Sequence, residues 1–276
     1  MTETYEITRR VIPEQPGRGR LGRVVHHDSR SLRYLVQPRR DDSLRTVLHT
    51  RRVPVWDQGS TGSCTGHAAA GAVGTNPHGI SATQEMALDL YSKATTLDPW
   101  EGSWPPSDTG SSGLAVAQAA KSLGLISGYQ HATSLLATVT ALQDYPVITG
   151  VSWYEGFDSP DSAGRVQISG DERGGHEFEL LGVDVDAREF WAVNSWGEGY
   201  GLSGRFRFSW DTFDRLLHEQ GDVTVLLPLT APAPVPTPAV DHDRVLADST
   251  RTWAKRYQRI SKTARAINDW RTAKGL

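Results

Sequence analysis

The chain has a single cysteine, Cys64, among 276 residues. That excludes an internal disulfide framework and fits a reducing compartment, or a body that needs no such staples. A lone Cys is by default a small buried hydrophobe, so only its surroundings give it chemistry. No apolar run approaches the length that spans a bilayer. The first residues, MTETYEITRR, lack the apolar core of a secretory leader, so a cytoplasmic protein is expected. No internal repeat is visible. Nine histidines are scattered without HExxH or another ligand spacing, so no metal is expected. Neither GxxxxGK[ST] nor a dinucleotide-type glycine loop occurs, and no cofactor is expected.

What the chain does have is a globular composition, 38% hydrophobic and 22% charged, with length for one large domain or two lobes. Its net charge of −3 hides an asymmetry. Residues 1–52 carry twelve Arg against six acids, and residues 251–276 carry eight Lys or Arg against one Asp, so the middle is near −16. Two basic ends flank an acidic body. Either the ends lie on that body, or one of them reaches a protein partner or a polyanion.

Residues 1–52 form an Arg-rich extension that looks extended or loosely packed, with a strand expected at Leu32–Val36. From residue 53 to 229 the texture is that of one folded domain. Small apolar residues in TGHAAAGAV predict a closely buried helix over Ser63–Val73. Met86, Leu90 and Ala94 recur at helical spacing in a second helix, Ala82–Ala94. A third fits Leu114–Leu123, stopped by Gly124. The runs PVITGVSWY, FELLGVDVD, EFWAVNSW and GRFRFSW then read as strands between Gly and Asp turns. Helices first and strands later predict an α+β fold of two lobes, with a cleft at their seam. TAPAPVPTPAV, 230–240, reads as a stiff linker. Beyond it, in 241–276, Trp253, Tyr257, Ile260, Ala264 and Ile267 mark one stripe of a basic amphipathic helix, suited to contact the acidic body, a protein partner or a polyanion.

A cysteine nucleophile needs a thiolate, a base, an orienting group and oxyanion donors. Cys64 at a helix start sits at the positive end of the dipole, which favours the thiolate. Gln58, six residues upstream in DQGSTGSC, offers a side-chain amide beside the Cys64 N–H as an oxyanion donor. His176 stands in GGHEFELLGVD, at the mouth of an expected strand. Asn194 ends EFWAVN, and its oxygen suits the imidazole N–H, with Trp196 placed to cover that bond. Asp57 is expected to shape the loop.

DQGSTGSC, GGHEF and NSWGEGYG, in this order, resemble the papain family of cysteine peptidases, over about residues 53–217. SDTGSSGLAVAQAAKSLGLI is similar to the family's cleft-lining glycine loop and the helix after it. PVITGVSWYEGF is similar to the strand that opens its β lobe, especially in bacterial members. The resemblance implies a helical lobe followed by an antiparallel β lobe. It also implies Cys64 as nucleophile, His176 as ion-pair partner and general acid/base, Asn194 as orienting residue and Gln58 as oxyanion donor, acting on a polypeptide substrate. His67 is then structural, because the family places its base on the other lobe. The chain departs from the pattern in five ways. His176 lies 112 residues after Cys64, less than the spacing of plant and lysosomal members, while Asn194 at 130 fits. Thr65 replaces an aromatic residue, as in bacterial relatives that read Ser–Cys–Thr. The disulfides of secreted members are absent. The N-terminal extension is shorter than the family's inhibitory propeptide. Glu177 follows His176 where a small apolar residue is usual: it raises the imidazole pKa, disturbs the ion pair, or faces away. The alternatives are a cell-wall or isopeptide amidase on a related scaffold, or a catalytically silent binding or assembly protein.

Overall fold

The computed structural model describes residues 19–40, 43–229 and 272–273. The chain divides into two units, Met1–Ala231 and Pro232–Leu276, and every element below belongs to the first. The expected linker and the Trp253–Ile267 stripe lie outside the described residues; Thr272 and Ala273 are helical and exposed.

After a 3-10 turn and the short strand β1 (Val47–Leu48) come three helices: α1 (Cys64–Val73), α2 (Gln84–Thr95) and α3 (Gly113–Ser122). Side chains at the starts of α2 and α3 satisfy first-turn N–H groups. Thr83 accepts from Met86 N at 3.2 Å and Ser112 from Ala115 N at 3.2 Å. Every residue of α1 is buried. Its Ala and Gly content is what permits this: a Cβ on Gly66 would stand 2.9 Å from the Tyr91 backbone N of α2 and closer still to Ala87 O. Gly124 turns the chain out of α3 at φ +71°, as its expected stop.

The sheet comprises β1 (Val47–Leu48), β2 (Gly128–His131), β3 (Val147–Tyr154), β4 (Glu172–Asp184), β5 (Glu189–Val193), β6 (Arg205–Ser209) and β7 (Asp222–Leu227). Every pairing is antiparallel, in the order β2-β7-β3-β4-β5-β6, with β1 added to β4. Two short helices, α4 (Leu135–Ala141) and α5 (Trp210–His218), complete the body, each capped by a serine. Adjacent residues of β3 and β7 point to opposite faces and feed two cores. Ile148 and Leu226 join the alanines of α1 and α3, while Val147 and Val225 join Trp153, Phe178, Phe190, Phe206 and Phe213.

Two expectations fail. Leu32–Val36 is not a strand: Ser29–Tyr34 forms a 3-10 turn in which Asp28 accepts from Arg30 N at 2.8 Å, a local bond that competes with extended pairing. Nor does the loose packing expected of the Arg-rich start hold throughout its described residues. Leu21 is 2% exposed and Arg23 3%. Arg23 pairs with Asp222, Arg39 with Asp144 and Arg51 with Glu179, so these basic residues lie on the acidic body. The helices α4 and α5 and the strands β2 and β7 were not among the expected elements: α5 does carry a helical stripe, with Trp210, Phe213 and Leu216 buried, and β7 is the β-type run DVTVLL, whereas β2 is GYQH, and only its pairing with β7 makes it a strand.

Candidate active site

Cys64 is the first residue of α1, whose start has no side-chain cap, so the sulfur sits at the N-terminal end of the helix dipole. Its sulfur lies against the backbone N–H groups of Thr65, of Glu177 in β4 and of Gly22. It is fully buried, and burial, aided by the nearby Glu177 carboxyl, pushes the thiol up to about 12.

His176 sits inside β4, opposite Val151 of β3, because the strand starts at Glu172 rather than at the histidine. Its Nε2 is 2.7 Å from Asn194 Oδ1. That same oxygen accepts from the Ser195 backbone N–H at 2.8 Å, which identifies it as the carbonyl oxygen. Nε2 must therefore carry the hydrogen and donate it, leaving Nδ1 as a bare base. Nδ1 is buried without a hydrogen-bond partner. The ring is held between Trp153 and Trp196, at centroid distances of 4.7 and 4.9 Å. Burial lowers the imidazole to about 4, against the opposing pull of the Asn194 bond.

Gln58 ties the loop before α1 to the segment after β5. Its backbone N donates to Ser195 O at 2.8 Å, and its Oε1 accepts from Ser195 Oγ at 2.6 Å. Its Nε2 gives one hydrogen to Thr61 O at 2.7 Å and keeps a second. Asp57 shapes this loop by accepting from Gly59 N at 2.8 Å. His67 Nδ1 is 3.0 Å from Ser63 O, a bond within its own helix turn, and so it serves α1.

His176 thus meets Asn194 and Trp196, Gln58 joins them through Ser195, and Cys64 joins through the Glu177 N–H next to His176, while His176 Nδ1 makes no hydrogen bond to the sulfur. The sequence reasoning missed Trp153, which packs on His176, and it missed residues 19–24, which cross the site. Val24 N donates to Ser111 O and Ser111 N to Gly22 O, at 2.8 and 2.9 Å; Arg23 N donates to Gly175 O at 3.1 Å. Trp196 Nε1 donates to Arg20 O at 3.0 Å. The segment therefore bonds to the loop before α3 on one side and to β4 on the other. A signal existed in GRGRLGR: a Cβ at Gly22 would meet the Gly62 backbone, and a Cβ at Gly110 would meet the Gly22 carbonyl, so neither has room. Beyond Trp196 runs a groove of about 940 Å³ that includes Asp57, Glu155, Asp158 and Asp161 in its lining. Among the described residues no cluster of His, Cys, Asp and Glu could hold a metal, and no helix is long and apolar enough to cross a membrane.

No family model matches the chain, and no curated protein matches it in sequence. Solved structures do. Xylellain, a cysteine protease from Xylella fastidiosa, is 17% identical with a TM-score of 0.62, over 79% of this chain and 100% of that one. Procathepsin B S9 from Trypanosoma congolense is 10% identical with a TM-score of 0.53, over 76% and 87%. Digestive procathepsin L 3 from the larval midgut of Tenebrio molitor is 16% identical with a TM-score of 0.51, over 76% of each chain. At these identities the likeness is one of architecture: the chain has the fold of papain-like cysteine proteases.

Proposed function

We propose that the chain is a cysteine peptidase that hydrolyses peptide bonds of a polypeptide substrate. The observation that carries this is the His176–Asn194 bond, which fixes the tautomer and leaves a bare Nδ1 on the residue whose neighbour's N–H touches the Cys64 sulfur. In the proposed reaction the Cys64 thiolate attacks the carbonyl carbon, and the oxygen takes the charge. The Cys64 N–H and the second hydrogen of Gln58 Nε2 stabilise that oxyanion. The imidazolium of His176 gives its Nδ1 proton to the leaving amine as the C–N bond breaks. Neutral His176 then takes a proton from water, whose hydroxide opens the thioester and releases the acid. Asn194 keeps the ring oriented, and Trp153 and Trp196 keep water from that hydrogen bond. A thiol at about 12 and an imidazole at about 4 belong to the covered site, with Gly22 on the sulfur. When water or substrate replaces that segment, the cost of ionising the pair falls.

The test is cleavage of denatured casein by the full chain and by Arg23→Ala, each with Cys64→Ala and His176→Ala controls. Cleavage abolished by either control is expected. Cleavage that survives Cys64→Ala, or none from either parent protein, would overturn the reading.

A further inference from the structure

Glu177 is the residue of the site whose environment the reaction leaves unexplained. It is wholly buried, and neither carboxyl oxygen has a hydrogen-bond partner. Asp222, at the start of β7, leaves its Oδ1 equally unpartnered. Two glycines make room for these groups. A Cβ on Gly113 would stand 2.8 Å from both Glu177 Oε1 and Asp222 Oδ1. A Cβ on Gly150 would stand 2.5 Å from both Glu177 Oε2 and Arg23 Nε. Any other residue at either position would fill the space. The result is a small acidic pocket that adjoins Cys64, because the Glu177 N–H touches the sulfur.

Arg23 fills that pocket. Its side chain is 1% exposed. Nε bonds Asp222 Oδ2 at 3.1 Å, Nη2 bonds the same oxygen, and Nη2 also bonds Gln220 O at 2.6 Å. A guanidinium is planar and donates in several directions at once, which a lysine ammonium at one point does not reproduce. Burial and the Asp222 charge raise the Glu177 carboxyl well above its ordinary value, and the Arg23 charge opposes them. The pocket thus holds carboxyl groups in excess of their hydrogen bonds, in a form that a cation relieves.

We infer that the Glu177–Asp222 pocket binds an arginine side chain of the polypeptide substrate, and that Arg23 is its internal occupant, so residues 19–24 must leave before a substrate enters. This rests on the peptidase reading for the word substrate alone; the arginine pocket itself does not depend on turnover. It accounts for the acid after His176: Glu177 reads a substrate side chain and is no defect of the ion pair.

The experiment uses the full chain and follows Cys64 alkylation by iodoacetamide, which needs no catalysis. Arg23→Ala, and Arg23→Lys as a milder variant, are expected to speed alkylation roughly tenfold or more. The peptide GRLGRVV, residues 19–25, is expected to protect Cys64 of Arg23→Ala. The same peptide with Ala for its second Arg is expected to protect roughly 10- to 100-fold less well. Glu177→Gln and Asp222→Asn are expected to weaken protection by the arginine peptide. Equal alkylation of all three proteins, or equal protection by both peptides, would overturn the inference. Hydrolysis of peptide amides separates the two proposals. Arginine-dependent protection without turnover sinks the peptidase reading and leaves the pocket; turnover with no preference for arginine over leucine sinks the pocket and leaves the peptidase.

Discussion

Glu177 and Glu179 stand two residues apart on one strand, both buried, and they are held in opposite ways. Glu179 is bonded at both oxygens, to Arg51 and to Thr75 Oγ1 at 2.6 Å. Thr75 follows α1 and Arg51 precedes it, so this ion pair binds the helical lobe to the sheet. Glu177 accepts no hydrogen bond and shares its pocket with an arginine from a segment that lies across the cleft. A buried carboxylate with every bond filled is part of the architecture. On the proposed reading, the buried carboxyl left unfilled beside Cys64 is a recognition element, with its stability cost borne by the rest of the fold.

The largest break of this comparison is Arg51→Ala. It strands Glu179 without its charge partner and is expected to cost about 3–5 kcal/mol in urea unfolding. A loss below about 1 kcal/mol would mean that the fixed pair is not architectural.

Acidification loads both regions through their histidines. Burial lowers the pKa of His67, which feels Arg51, and of His131, which feels Asp222, and likewise of His49, His78 and His176. The unfolded chain takes up protons below the ordinary value of 6.5, and the folded chain resists. Stability is therefore expected to fall as pH drops from 6.5 towards 4, with His176 alone contributing on the order of 3 kcal/mol. Flat stability across that range, followed by thermal unfolding, would contradict the neutral histidines.

Arg23→Ala is expected to cost less than Arg51→Ala, about 1–3 kcal/mol, because Asp222 is partly exposed and can rehydrate. A loss equal to that of Arg51→Ala would erase the distinction between the two arginines. The smallest change is Glu177→Gln, expected to shift stability by no more than about 1 kcal/mol, since no hydrogen bond is lost. Its effect belongs in the kcat/KM ratio of arginine to leucine substrates, which is expected to fall.

The same contrast marks what the sequence made legible. Gln58, Cys64, His176 and Asn194 stand in short local motifs, and the structure gathers them at one seam. Helix α1 was readable because a run of ten residues, small but for His67 and with two glycines, has few other uses. The fixed and the movable arginine were not separable by sequence: Arg23 and Arg51 lie in one basic stretch, and their partners lie 199 and 128 residues away. Asp222 carried no motif, and its place at the start of β7 beside the site comes only from the pairing of β7 with β2 and β3. Glu177 was visible as a departure from pattern, but its meaning required Gly113, Gly150 and Asp222, which only the fold assembles.

One measurement bears on the reactive centre most directly: intact-mass detection of the adduct formed by a peptidyl-arginine chloromethyl ketone. The full chain and Arg23→Ala are treated side by side, each with and without His176→Ala. A single adduct on Cys64 is predicted, faster in Arg23→Ala and at least roughly tenfold slower once His176 is removed. An unmodified Cys64 in both parent proteins, or a rate indifferent to His176, would contradict a thiol activated by that imidazole.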